Sequence, residues 1–199
     1  LEAAVADIHY SKGRFLIAGT DRGVDFADLA AEAPLAADAN HRNELVAWPN
    51  GCHVCEVEVD PETGAVVIVR YVAVDDVGRA VNPMIVEGQV HGGVGQGIGQ
   101  AMLEACRYDE NGQLVSASFM DYAMPRADDL PNISVDHSCQ TPCTHNPLGV
   151  KGCGEAGTVG ALAAISNAAL DALWDRGVRH VDMPLTPQRI WTWLNKAST

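Results

Sequence analysis

The alternation of apolar and polar positions divides the chain into short strands and a few Ala- and Gly-rich helices. Val5 to Tyr10, a Ser-Lys-Gly turn and Arg14 to Ile17 predict a small hairpin. Asp25 to Glu32 predicts a helix with Asp in its first turn, where the dipole favours negative charge, and Pro34 stops it. Leu35 to Asn50 has no clear period and reads as a connecting loop. His53 to Val59 alternates, Asp60-Pro61-Glu62-Thr63-Gly64 supplies turn chemistry and Ala65 to Asp75 is a β-branched run, which together predict a second hairpin. Gly78 to Pro83 turns the chain. Ile85 to Cys106 is apolar, helical from about Val90, and carries glycines at 88, 92, 93, 95, 97 and 99. Each helical glycine costs about 1 kcal/mol relative to Ala, so close approach of another backbone or of a ligand is the expected reason for them.

Two more strands are expected, at Leu114 to Asp121 and Ile133 to His137. Thr158 to Trp174 reads as a buried helix apolar on most sides, and Thr186 as N-cap with Pro187 at the first helical position opens a last helix. The class is α+β: two or three antiparallel hairpins packed with Gly/Ala-rich helices.

Composition narrows the function classes. With 199 residues, 47% of them hydrophobic, the chain can bury one sizeable core or two small ones. A formal net charge of -13 with 13 Lys plus Arg argues against nucleic acid or anionic membrane as partner. No apolar run approaches the roughly 20 residues of a membrane span, and no signal-like segment opens the chain, so a soluble, cytoplasmic protein is expected. Leu1 leads straight into a strand-like run, as in a fragment of something longer. The six cysteines are unevenly spaced, in keeping with reduced thiols rather than a disulfide framework.

The densest chemistry lies between Gly149 and Gly160, where glycines precede and enter an apolar helix. Free N–H groups at such a helix start, including those of Gly152 and Gly154, suit an anionic group. Gly152 to Gly157 spells G-x-G-x-x-G, but no buried strand precedes it, and Glu155 would set a carboxylate against a pyrophosphate; a nicotinamide domain is therefore disfavoured. Glu155 has two readings: a base facing whatever the turn approaches, or an acid in the first turn of the helix. Lys151 is likewise either a counter-charge to an anionic cofactor or a solvated loop lysine. Cys52 and Cys55 form a CxxC at the start of a strand, where residues three apart face opposite sides, so a shared metal is not expected. Cys139, Cys143 and His145 could form a nucleophile pair, although nothing in the sequence brings them together.

Three stretches resemble the C-terminal part of the large subunits of molybdenum hydroxylases, the family of xanthine dehydrogenase, aldehyde oxidase and aerobic carbon monoxide dehydrogenase. They are Asp76 to Pro83, Glu87 to Gln100 and Asn146 to Glu155, with Phe119 to Pro125 falling between the second and third, and the likeness runs from about Val5 to Trp193. The resemblance implies that residues 1–47 end a preceding subdomain and linker, and that residues 48–199 face the cofactor. It also implies that Gly88, Gln89, Lys151, Gly152 and Gly154 contact a molybdopterin cofactor, with the cytosine dinucleotide form favoured, and that Glu155 lies beside the metal. Glu155 would deprotonate a Mo-bound hydroxide that attacks a small substrate, with hydride passing to a sulfido ligand. Electrons would leave through iron-sulfur and FAD subunits, and the piece alone would be inactive without the rest of the large subunit. Against this stands a non-catalytic assembly module that retained the fold; retention of Gln89 together with Glu155 favours the enzyme.

Overall fold

A computed structural model describes residues 1–40, 42, 44–138 and 141–197, which form two compact units, Leu1–Arg42 and Asn43–Thr199. In the first, the predicted hairpin gains a third strand. β1 (Ile8–Ser11), β2 (Arg14–Ile17) and β3 (Gly23–Asp25) pair antiparallel in that order, and α1 (Phe26–Glu32) follows directly. Phe15 packs between Tyr10 and Phe26, with ring centroids 4.8 and 6.1 Å away, an aromatic cluster that gives this small sheet an apolar nucleus.

The second unit is built on β4 (Asn50–Val59) and β5 (Val66–Asp76), the expected hairpin. Alternation turns His53, Cys55, Val57 and Val59 toward the interior and leaves Val54, Glu56 and Glu58 outside. Between Glu56 and Val57 the register slips so that Val69 is an extra residue on β5, which is why Val69 and Arg70 both face solvent before alternation resumes at Tyr71. Cys52 is exposed while Cys55 packs against the core, so the CxxC sulfurs lie on opposite faces as the strand period requires.

β6 (Ile133–Asp136) completes the sheet, but it runs parallel to β5 rather than in an antiparallel hairpin. The strand expected at Leu114 to Asp121 is not formed. A single bridge joins Tyr108 to Leu114, and Ser118, Asp121 and Tyr122 hydrogen-bond into a local turn instead. Local side-chain and backbone bonds have won over β-propensity there.

α2 (Pro83–Ile98) starts well before the expected Val90, because Asn82 caps it, accepting from the Ile85 N–H at 3.3 Å, and Pro83 occupies its first turn. A wider π-type turn follows at Gly99–Leu103. α3 (Ala156–Trp174) buries one stripe, Gly157, Ala161, Ile165, Ala169 and Leu173, rather than most of its surface; Val159 and Trp174 are exposed. This helix is long and apolar enough to cross a membrane by length and composition, contrary to the reading of the sequence, yet its buried stripe packs against α2 and β4 as a core helix. α4 (Pro187–Ala197) begins where Thr186 and Pro187 predict.

The glycines explain how closely α2 and α3 approach. A methyl group on Gly93 would come within 2.9 Å of the Gly157 Cα, and one on Gly157 within 2.5 Å of the Val90 carbonyl oxygen. On Gly97 it would strike the Ala161 Cβ at 2.5 Å. Backbone contact of this kind admits no side chain. Gly88 and Gly92 are different, since a methyl group on either would meet nothing within 4 Å.

Candidate functional site

The segment Val150 to Ala156 crosses the C-terminal end of β5 and delivers the chain into α3. Val150 bridges to Gly78, the Lys151 N–H donates to the Val77 carbonyl at 2.9 Å, and the Gly152 N–H donates to the Ala47 carbonyl at 2.9 Å. Beyond Gly152 the loop is held less, and Gly152, Gly154 and Glu155 are exposed. Glu155 stands at the N-cap position of α3, but its carboxylate makes no capping hydrogen bond. It lines a cavity of about 380 Å³ whose walls are residues 48–51 on one side and 152–156 on the other, with His53, Asp75, Val159 and Gly160 closing it.

Gln89 reaches the same loop from α2: a methyl group on Gly154 would sit 3.5 Å from the Gln89 Nε2. The structure thus brings together Gln89 and the Gly154-Glu155 turn, singled out from two widely separated motifs. Gly88, beside Gln89, is exposed with open space over it.

Lys151 is placed differently. Its ammonium does not line the cavity but donates to Asp76 Oδ2 at 2.9 Å, with both side chains about nine-tenths buried. Asp76 Oδ1 also accepts from the Gly78 N–H at 2.9 Å and the Thr141 N–H at 3.0 Å. Burial opposes ionisation of Asp76, but the Lys151 ammonium and these two N–H donors outweigh it and hold the carboxyl well below the usual carboxylate range.

Sequence reasoning missed the floor of the cavity. His53 Nδ1 lies 2.7 Å from the Tyr71 hydroxyl, and Nε2 lies 3.3 Å from Asp75 Oδ2, with the His53 and Asp75 side chains each 3% exposed. Burial, then the nearby Cys55 and Asp75, push the Tyr71 hydroxyl above its ordinary value. Both ring nitrogens of His53 are thus engaged, one with the Tyr71 hydroxyl and the other with the Asp75 carboxylate. A methyl group on Gly160 would collide with the His53 ring, so the second turn of α3 rests directly on this network. The available signal was a histidine in the apolar phase of β4 and two successive aspartates ending β5. Of the suggested Cys/His nucleophile pair, Cys139 lies outside the described residues, and Cys143 Sγ accepts from the backbone N–H of His145 at 3.4 Å. Among the described residues no group of three or more His, Cys, Asp or Glu is arranged to hold a metal ion.

The donor set and the open space suit the pterin cofactor that the motifs imply. Gln89 offers an amide that both donates and accepts, Gly152 and Gly154 are exposed, and Gly88 and Gly92 leave open space over α2 among the described residues. Glycine at such unpacked helical positions makes sense where something else approaches.

Comparisons with known proteins agree. The family model described as "Molybdopterin cofactor-binding domain" matches residues 1–131. The gamma subunit of the 6-hydroxypseudooxynicotine dehydrogenase complex of Paenarthrobacter nicotinovorans is 37% identical over 99% of this chain and 27% of its own length. The carbon monoxide dehydrogenase large chain of Hydrogenophaga pseudoflava is 36% identical over 96% of this chain and 25% of its own. Among solved structures, quinoline 2-oxidoreductase from Pseudomonas putida 86 superposes with a TM-score of 0.89 at 37% identity, covering 98% of this chain and 27% of that one. The chain spans about a quarter of the length of these relatives. With its fold matched throughout and the family model covering more than half of its residues, the chain belongs to the molybdopterin cofactor-binding domain family.

Proposed function

We propose that this chain is part of the large subunit of a molybdenum hydroxylase and forms one wall of its cofactor site, with Glu155 as the catalytic base. The observation that carries this reading is an uncapped, exposed Glu155 lining a cavity beside Gly154, the residue that the Gln89 amide approaches from α2. Gly88, Gln89 and the 152–154 segment would hold the cofactor through the Gln89 amide and the N–H groups of Cys153 and Gly154, the Gly152 N–H being taken by the Ala47 carbonyl. A cytosine dinucleotide form fits the kinship with carbon monoxide dehydrogenase large chains.

When bound, the molybdenum cofactor supplies a two-electron acceptor for oxidation of a carbon centre. Glu155 takes up, at a carboxylate oxygen, the proton released as water's oxygen is transferred to the substrate. His53 and Asp75, tied to each other and to Tyr71, form part of the wall of the cavity that Glu155 lines. Lys151 serves this site by holding the loop through Asp76 rather than by facing the cofactor. Electrons pass on through iron-sulfur and FAD partner subunits, and the piece alone, lacking the remainder of the subunit, is inactive. Substrates are small molecules such as aldehydes, N-heterocycles or carbon monoxide.

The test is made on the full-length subunit co-expressed with its partners, comparing wild type with Glu155→Gln for molybdenum and pterin content and for turnover of a substrate panel. The expected result is unchanged molybdenum with turnover reduced by about 10²- to 10⁴-fold, the range of a general base. If neither protein carries molybdenum, the reading fails and a non-catalytic assembly module takes its place.

A further inference from the structure

We propose that the adjacent aspartates ending β5, Asp75 and Asp76, are positioning residues that hold the two ends of the segment bearing Glu155. The inference rests on the reading of Glu155 as the base.

Successive residues of a strand face opposite ways, so two aspartates in a row serve two different neighbours. Both are buried, Asp75 2% and Asp76 8% exposed, an unusual place for two carboxylates unless each is fully engaged. Asp76 grips the N-terminal side of the segment: Lys151 Nζ on one oxygen, and the Thr141 and Gly78 N–H groups on the other. Asp75 grips the C-terminal side indirectly. It fixes the His53 ring, Tyr71 fixes the other nitrogen of that ring, and α3 lies on the ring through Gly160, five residues beyond Glu155. Gly51 completes the seat, since a methyl group there would collide with the Asp75 carboxylate. Between the two grips, residues 152–155 are held by one backbone bond, from the Gly152 N–H to Ala47, and by the turn into α3. The location of the Glu155 carboxylate is therefore set by where β5 ends. A base displaced by about 1 Å can lose about 10²-fold in rate, so both grips act on turnover without touching substrate.

The experiment compares Asp76→Asn, Lys151→Met, the double variant, Lys151→Arg and His53→Gln in the full-length subunit within its complex. Molybdenum content, kcat and KM are measured, together with hydrogen–deuterium exchange of the amides from 149 to 160. Clamping predicts kcat lowered by about 10- to 100-fold with KM and molybdenum content within about twofold of wild type. The double variant should be no worse than either single one, Lys151→Arg should recover most of the rate, and amide exchange should quicken in this segment. Wild-type exchange in these variants overturns the proposal. Loss of molybdenum in Lys151→Met but not in Asp76→Asn also overturns it, because Lys151 would then be a direct cofactor contact. Glu155→Gln in the same series separates the two failures: full turnover there sinks the base assignment, while exchange and metal content still read the clamp.

Discussion

At the scale of single residues, glycines on one helix separate into two kinds with opposite predicted behaviour. Gly93→Ala forces a methyl group onto the Gly157 backbone, and is expected to destabilise by about 1–3 kcal/mol or more, the usual cost of overpacking. Gly92→Ala meets no atom and is expected to stabilise the helix by up to about 1 kcal/mol. Denaturant titration of the two variants checks the signs. If the cofactor lies over Gly88 and Gly92, Gly88→Ala and Gly92→Ala also lower molybdenum content while raising stability, a combination that packing alone does not produce. Asp76 yields a pH prediction. Its folded pKa is depressed, so the stability it contributes is complete above the unfolded carboxylate value of about 3.9 and is lost as pH falls through the lower folded value. The difference in Tm between wild type and Asp76→Asn should be flat between about pH 5 and 8 and shrink only below about pH 4. Cys55 is pushed up to about 11 by burial, so it should resist iodoacetamide at pH 8, where exposed Cys106 is alkylated, as peptide mass spectrometry would record.

At the scale of elements, what could be read in advance depended on whether the deciding interaction was local. The β4–β5 hairpin was legible because alternation and the Asp60 to Gly64 turn are both local signals. α4 was legible because its cap and proline sit side by side at Thr186 and Pro187. The early start of α2 was missed although Asn82 and Pro83 are local, since the run of glycines obscured them; replacing Asn82 with Ala should cost about 1 kcal/mol in a urea titration. Asp75 and Asp76 were missed for a stronger reason. Their partners, His53, Thr141 and Lys151, lie across the sheet or far along the chain, and no periodicity announces such a meeting. For the same reason neither reading of Lys151, counter-charge to a cofactor or solvated loop lysine, included its pairing with the buried Asp76 carboxylate.

At the scale of the whole molecule, the apolar surface left open is extensive. Phe119 is 82% and Met120 95% exposed on the loop after the Tyr108–Leu114 bridge, and Trp48 stands 72% exposed at the cavity wall. Side chains of this size seldom face water in groups unless something covers them, which accords with a chain spanning a quarter of its relatives' length. Expressed by itself, the chain should self-associate, and serine at both Phe119 and Met120 should shift light-scattering mass toward the monomer.

The parallel pairing of β5 with β6 carries a kinetic consequence. β4 can zip onto β5 across a tight turn, but β6 reaches the other edge only after the chain has travelled from Asp76 to Ile133 through α2. Until that long loop closes, β5 presents a bare edge, and pairing of such high contact order is slow. A β4–β5 ribbon formed ahead of β6 would offer its valines and unsatisfied amides to any neighbouring copy. Productive folding would then depend on α2 docking before another chain takes the place meant for β6.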